Sequence, residues 1–425
     1  MYKNRVVCTL LALGGCLLMV MSQNTNSPYT RYGYGELRDQ GLGKSQSMGG
    51  VGIGMRDHGM INPANPASYT AVDSLRFMFD IGISGTYSRF SDQTQHATSF
   101  FGNFDYLAMQ FPLASWLATS IGVMPFSYSG YNYVTQGRLK DVNSQGNTDI
   151  AGRGDTIGFK QTYSGTGGIS QLYGGLSVKF LNHFALGVNA IYLFGQNSYD
   201  ALTNITDSSN VNTQFHSYER TVSLDFRAFG LHYGAQFFGK TGKKGYLTVG
   251  AMFQPKVKSF GNYNETSLGV INDTITQRPL CELPAQFGIG ASYLFDNRLT
   301  VAADFQMQQW KDTYFFGQKD TLNNRIKLSV GAEYMDNPYG QHYWQRMNFR
   351  AGFNYSNSYF QVNGYSPKTM AFTLGAGFPV RGSMLNASLE YGIVGSASAT
   401  SIRQNYLRLS LDITMNELWF FKRKL

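Results

Sequence analysis

The sequence predicts an all-β fold: a transmembrane antiparallel up-and-down β-barrel of about fourteen strands, with an N-terminal hatch or plug in its lumen. Three observations predict it. From Phe77 onward, segments of roughly ten residues alternate oily and polar side chains. Their connectors are by turns short, as at Leu113–Ser115, Leu181–His183 and Phe295–Arg298, and long, as at Ser127–Gly167, Gln196–Glu219 and Lys256–Leu283. Past residue 22 no apolar run reaches the roughly 18 residues of a spanning helix. An antiparallel meander that crosses a bilayer and closes on itself makes this pattern.

The chain divides into three parts. Residues 1–22 read as a secretory signal peptide, with Lys3 and Arg5 as the basic region, Val6–Val20 as the apolar core, and a cut between Ser22 and Gln23. Leu13-Gly14-Gly15-Cys16 resembles a lipoprotein cleavage box, but the apolar core runs on past it. Cys8 and Cys16 leave with the signal, so Cys281 remains alone, which excludes an intrachain disulfide and a cysteine metal site. Residues 23–76 are the expected plug and 77–425 the barrel.

Within the barrel the last strand is clearest. Leu407, Leu409, Leu411, Ile413 and Met415 share one face of Tyr406–Met415, and Arg408, Ser410, Asp412 and Thr414 the other. A slip of one residue would aim Arg408 at lipid, at a cost of about 2–4 kcal/mol near mid-bilayer. The register is therefore fixed with the leucines outside. The same alternation places strands near 77–87, 104–113, 117–126, 169–180, 184–195, 221–237, 246–255, 285–294, 299–309, 325–334, 347–355, 369–378, 384–391 and 406–415. An even count starting in the periplasm puts every long connector outside the cell and leaves Met335–Arg346 as the one lengthy periplasmic turn. Aromatics at strand ends, among them Phe126, Trp116, Tyr246, Trp310 and Trp344, are expected at the two interfacial girdles. Polar residues on the inward face give a lumen network of Asp80, Asp105, Asp304, Arg350, Glu390, Arg408 and Asp412.

Gln23–Ser74 lacks alternation, is glycine-rich, and carries the stiff tandem Asn62-Pro63-Ala64-Asn65-Pro66-Ala67. Its apolar residues Val51, Ile53, Met55, Met60 and Ile61 call for packing, which a disordered leader would not need. The hatch or gate residues are Met48, Gly49, Gly50, Asn62, Pro63, Ala64, Asn65, Pro66 and Ala67, and Arg31, Arg38 and Arg56 are available to pair with inward acids.

Ser47-Met48-Gly49-Gly50-Val51-Gly52 followed by Asn62-Pro63-Ala64 resembles the N-terminal hatch of the FadL family of fatty-acid and aromatic-hydrocarbon transporters. Leu176–Phe194, Phe349–Phe353, Leu374–Pro379 and Leu418–Lys424 resemble a Bacteroidota branch of it. The resemblance implies fourteen strands, an outer-membrane location among lipid, and passive passage of a hydrophobic small molecule past the hatch.

Enzymatic signals are absent. The six histidines are dispersed without metal spacing, and there is neither a nucleophile elbow nor a complete phosphate loop. The net charge of +9 is scattered except at Lys240–Lys244 and Lys422–Lys424, so a nucleic-acid face is not expected. No enzyme activity, cofactor or metal is expected. Two functions remain: hatch-gated uptake of small hydrophobic molecules, or a non-transporting scaffold in a multiprotein envelope complex for type IX secretion or outer-membrane protein assembly.

Overall fold

A computed structural model describes residues 25, 27–92, 95–140, 156–206, 217–269, 273–319, 322–362, 364–380, 382–396 and 402–418. The signal segment, nearly all of the Leu418–Lys424 stretch and the basic tail lie outside them. Fourteen strands form the barrel wall: β1 (Arg76–Ser91), β2 (His96–Ala114), β3 (Leu117–Lys140), β4 (Thr156–Phe180), β5 (Phe184–Thr206), β6 (Tyr218–Thr241), β7 (Gly245–Gln254), β8 (Gln286–Phe295), β9 (Leu299–Gln308), β10 (Arg325–Met335), β11 (Asn348–Asn357), β12 (Lys368–Val380), β13 (Ser383–Val394) and β14 (Arg403–Leu418). Each pairs antiparallel with the next, and β14 returns to β1 through sixteen-residue strands. Closure leaves the backbone bonds of the spanning region satisfied within the sheet, as hydrocarbon requires.

The period-2 reading holds in three dimensions. Leu407, Leu409, Leu411 and Ile413 are 41–51% exposed on the outer face, whereas Asp412 is fully buried. The expected strand positions lie within the observed ones, or within a residue or so of them, all round the barrel. The girdle expectation fails at Trp310. That indole is 1% exposed, and it stacks against Tyr34 and Tyr359 rather than facing the interface. Trp310 lies past the end of β9 in a short 3₁₀ turn, so the chain has already bent over the bore.

In two segments expected as long loops, Ser127–Gly167 and Gln196–Glu219, nearly all the described residues are strand. β3 to β6 run 23–25 residues, about twice what a bilayer requires. Above the oily belt a strand no longer needs an apolar outer face, so the alternation that marks it disappears while its pairing continues. The hairpin Tyr263–Leu268/Asp273–Gln277 extends this sheet by pairing with β6 at Glu219–Leu224. The result is an extracellular wall standing on one side of the barrel.

The wall also splits. β2 and β3 pair only from Leu107 and Val123 down to their turn, although both strands continue upward. β3 shifts register against β4 between Pro125 and Ser127, where proline lacks a ladder donor. From there the edge of β3 is taken by the N-terminal segment: Glu36 and Leu37 pair with Tyr128 and Ser127, and Arg38 N–H donates to the Phe126 carbonyl at 2.9 Å.

Candidate functional site

The candidate site is the bore, and residues 27–72 fill it. Met48, Val51, Ile61, Ala67 and Tyr69 are fully buried there. The fit depends on glycines of the wall. A Cβ added to Gly352 would lie 2.2 Å from the amide nitrogen of Gly49, one at Gly331 2.3 Å from the Met48 carbonyl oxygen, and one at Gly250 2.0 Å from the Ile53 carbonyl oxygen. A Cβ added to Gly187, Gly234, Gly290 or Gly375 would lie 2.1–2.7 Å from Pro66, Asn65, Gly54 and Ser47 respectively. The plug thus lies directly on the backbone of seven strands. Gly49 itself has φ of 71° and sits against Phe353 and Val330 backbone, a place that only glycine takes without strain.

The hatch residues form one folded unit. The Asn62 amide donates to the carbonyls of Gly52 at 2.7 Å and Met55 at 3.3 Å. The Asn65 amide donates to the Ile53 carbonyl at 2.8 Å, while its oxygen accepts from Ala67 N–H and caps the 3₁₀ turn Pro66–Ala71. The Pro63 carbonyl accepts from Asn189, that of Ala67 from Ser177, and Gly49 N–H donates to Thr373. Gly50 N–H closes back on Ser45, and Ala64 packs at Gly52.

The inward charges divide among separate stations. Asp304 accepts from three successive amides, Gly52 at 2.6 Å, Ile53 at 2.8 Å and Gly54 at 3.2 Å, a nest of the kind that holds an anion. Asp105 holds Arg38 at 2.9 Å. Arg350 bridges Glu333 at 2.6 Å and Asn386 at 2.7 Å, and Lys44 reaches both Glu333 and Asp57 at 2.5 Å. Arg408 lies 3.4 Å from Glu390 and 3.5 Å from Glu36 of the plug. The Tyr106 hydroxyl lies 2.8 Å from Asp412 and 3.2 Å from Asp80. One phenol carries one proton, so both contacts are hydrogen bonds only when one carboxyl is protonated.

Of the three plug arginines expected to meet acids, only Arg38 does. Arg31 bonds the Tyr133 hydroxyl and stacks 4.3 Å over the Tyr163 ring. Arg56 donates to the Ala67 carbonyl and the Thr70 hydroxyl. The sequence reading missed Glu36, Asp39, Lys44 and Asp57 in the plug, and Arg325, Lys327 and Glu333 on β10. The β10 set was available, because those residues alternate with Ile326, Leu328 and Val330. Burial raises the Asp39 carboxyl, but the Lys327 ammonium at 2.7 Å and the neighbouring Arg325 outweigh it and hold the group down to about 2.

The extracellular end of the bore is closed as well. Tyr34, fully buried, packs on Trp310, Phe226 and Phe315, and the Tyr359 hydroxyl donates to the Gly35 carbonyl at 2.7 Å. Between this aromatic cap and the hatch remains a cavity of about 150 Å³, lined by Glu36, Arg38, Asp39, Arg325, Lys327 and Arg408. That is room for a handful of waters, at roughly 30 Å³ each, in a charged setting.

The sequence profile of a protein family described as BamG matches residues 1–425. No curated protein matches the chain. Among solved structures, a Pseudomonas aeruginosa FadL homologue is similar at 13% identity and a TM-score of 0.60, covering 90% of this chain and 99% of its own. The CymD monoaromatic hydrocarbon channel follows at 15% identity and 0.58, covering 90% and 99%. The Ralstonia pickettii toluene transporter TbuX stands at 15% identity and 0.55, covering 88% and 98%. At these identities the likeness establishes a FadL-type barrel fold.

Proposed function

The chain belongs to the BamG family, and from that membership, together with the sealed bore, we propose that it is a non-transporting accessory barrel of the envelope machine that assembles outer-membrane proteins. The observation that carries this reading is the contact between the plug and the seven wall glycines. Displacing the plug would break backbone-level contact with half of the barrel and unpair Lys44, Arg38 and the Asp304 amides together. The remaining cavity sets Glu36, Arg38, Asp39, Arg325, Lys327 and Arg408 among rings such as Phe101 and Phe360, and a hydrocarbon filling it would desolvate those charges without compensation. Such a barrel acts through its surfaces, and the wall of long strands offers the largest of them. The test is purification of a tagged native copy in mild detergent, followed by depletion. The expected result is a stable complex with other envelope proteins and slower insertion of unrelated barrels. A solitary particle, or recovery with type IX secretion components alone, would contradict it.

One observation favours the second reading, passive uptake of small hydrophobic molecules in the outer membrane. The split leaves β2 and β3 unpaired with each other above Leu107 and Val123, and Glu36–Arg38 cover the β3 edge at Phe126–Tyr128, so a sideways route toward lipid remains beyond that point. The similar structures include a monoaromatic hydrocarbon channel and two toluene transporters. Toluene uptake by cells with and without the protein separates the readings: a difference supports transport, and none ends it.

A further inference from the structure

Above the plug, on the concave side of the extracellular wall, lies a second and larger cleft of about 640 Å³. Its construction differs from the charged cavity below. One side carries Tyr131, Tyr163 and Tyr199 from β3, β4 and β5, Tyr199 standing 6.4 Å from Tyr131, and Tyr133, outside the lining, bridges Tyr131 at 5.8 Å and Tyr163 at 5.3 Å. The other side is Phe315, Phe316 and Tyr263, with Phe316 set edge-on to Tyr263 at 5.4 Å. Arg31 and Gly33 of the plug make the floor. Gln161, Asp200, Thr203 and Gln277 supply neutral and acidic hydrogen-bonding groups between the rings.

Phe316 is the unusual residue. It has φ of 50° and is followed by Gly317 at 74°, in a two-residue turn closed by Phe315 and Gln318. Such a turn favours Asn or Gly in its first central place, and a bulky side chain there is strained. Strain of this kind concentrates where a side chain must be presented to a ligand. The ring is held at the cleft by Phe315 and Tyr263 in spite of the backbone that carries it.

We propose that this cleft binds a short stretch of neutral oligosaccharide at the cell exterior, its sugar rings lying between the two aromatic sides. Ring faces match the C–H faces of a pyranose, and amides, hydroxyls and a carboxylate at the rim match its hydroxyl groups. The charges of the lining balance, with Arg220 2.5 Å from Glu265 and one further cation, Arg31, against one further anion, Asp200. A hydrocarbon would strip water from Asp200 and Gln277 with nothing to replace it, whereas Gln161 keeps the Tyr163 hydroxyl at 2.9 Å and Thr203 at 3.3 Å. A peptide cannot add as a strand to β6, because β6 pairs with β5 through Tyr218 and with the hairpin through Leu268. Because the floor belongs to the plug, an occupant would touch it without moving it.

The test uses the full chain in lipid nanodiscs and isothermal titration with maltohexaose, chitotetraose and mannotetraose. At least one should bind, and Phe316→Gly should weaken it tenfold or more while leaving the melting temperature equal or higher, since glycine relieves the turn. Gln277→Ala, which removes only an exposed amide, should weaken binding severalfold with no change in melting. Failure of all three sugars to bind at millimolar concentration would overturn the proposal. So would a Phe316→Gly variant that binds as the wild type does, or binding of toluene that displaces the sugar from the same cleft.

Discussion

At the scale of single residues, Lys44 holds the most consequential contact. Its ammonium is 8% exposed and satisfies Asp57 and Glu333 at once. Lys44→Met would leave Glu333 to Arg350 and Asp57 to the exposed His58 imidazole at 3.6 Å. Removing one partner of a buried pair costs about 3–5 kcal/mol, so the denaturant midpoint of the folded barrel should fall accordingly. Asp39 is a different case, because its carboxyl is 39% exposed beside Lys327. Its folded value of about 2 lies below the ordinary 3.8, so its contribution is complete above the higher value and lost as pH falls through the lower. The stability difference between wild type and Asp39→Asn should therefore stay constant from pH 7 to pH 5 and vanish in strong acid, as measured by thermal unfolding. A difference that changed between pH 7 and pH 5 would assign the effect to another group.

At the scale of elements, what the sequence disclosed and what it hid follow from where lipid acts. Lipid enforces a period of two, so Phe77 to Tyr87 and Leu407 to Ile413 announced strand, register and face together. Beyond the bilayer that pressure ends, and β3 to β6 continued unseen through polar sequence. The glycines were visible but ambiguous. In the step Tyr173-Gly174-Gly175, Gly175 makes room for Asn189 and Tyr69, while Gly174 meets nothing within 4 Å. Alternation separates the two, since Gly174 shares a face with Leu172 and Leu176 and Gly175 with Tyr173 and Ser177, but it does not disclose that a plug lies against the inner one. The inward acids were legible by alternation, but their plug partners were not, because residues 27–72 follow no period. The pair gives a controlled test of the close approach. Gly352→Ala, whose new methyl carbon would lie 2.2 Å from the Gly49 nitrogen, should expose the plug to added protease. Gly174→Ala should change stability by no more than about 0.5 kcal/mol.

At the scale of the whole molecule, the barrel is a closed container with its N-terminal segment as its core. The wall glycines set the plug's position, the ion pairs around Asp105, Glu333 and Lys327 fix its orientation, and the Tyr34–Trp310–Tyr359 cap covers it. A plug so held is part of the fold rather than a moving door, which is why the accessory reading rests on the outer surfaces. Native-state hydrogen exchange of the full chain in nanodiscs, with and without toluene, tests this most directly. The account predicts that amides of the segment 44–56 exchange as slowly as those of β10 and β11, whether or not toluene is present. Exchange of that segment orders of magnitude faster than its neighbouring strands, or opening on addition of toluene, would contradict it.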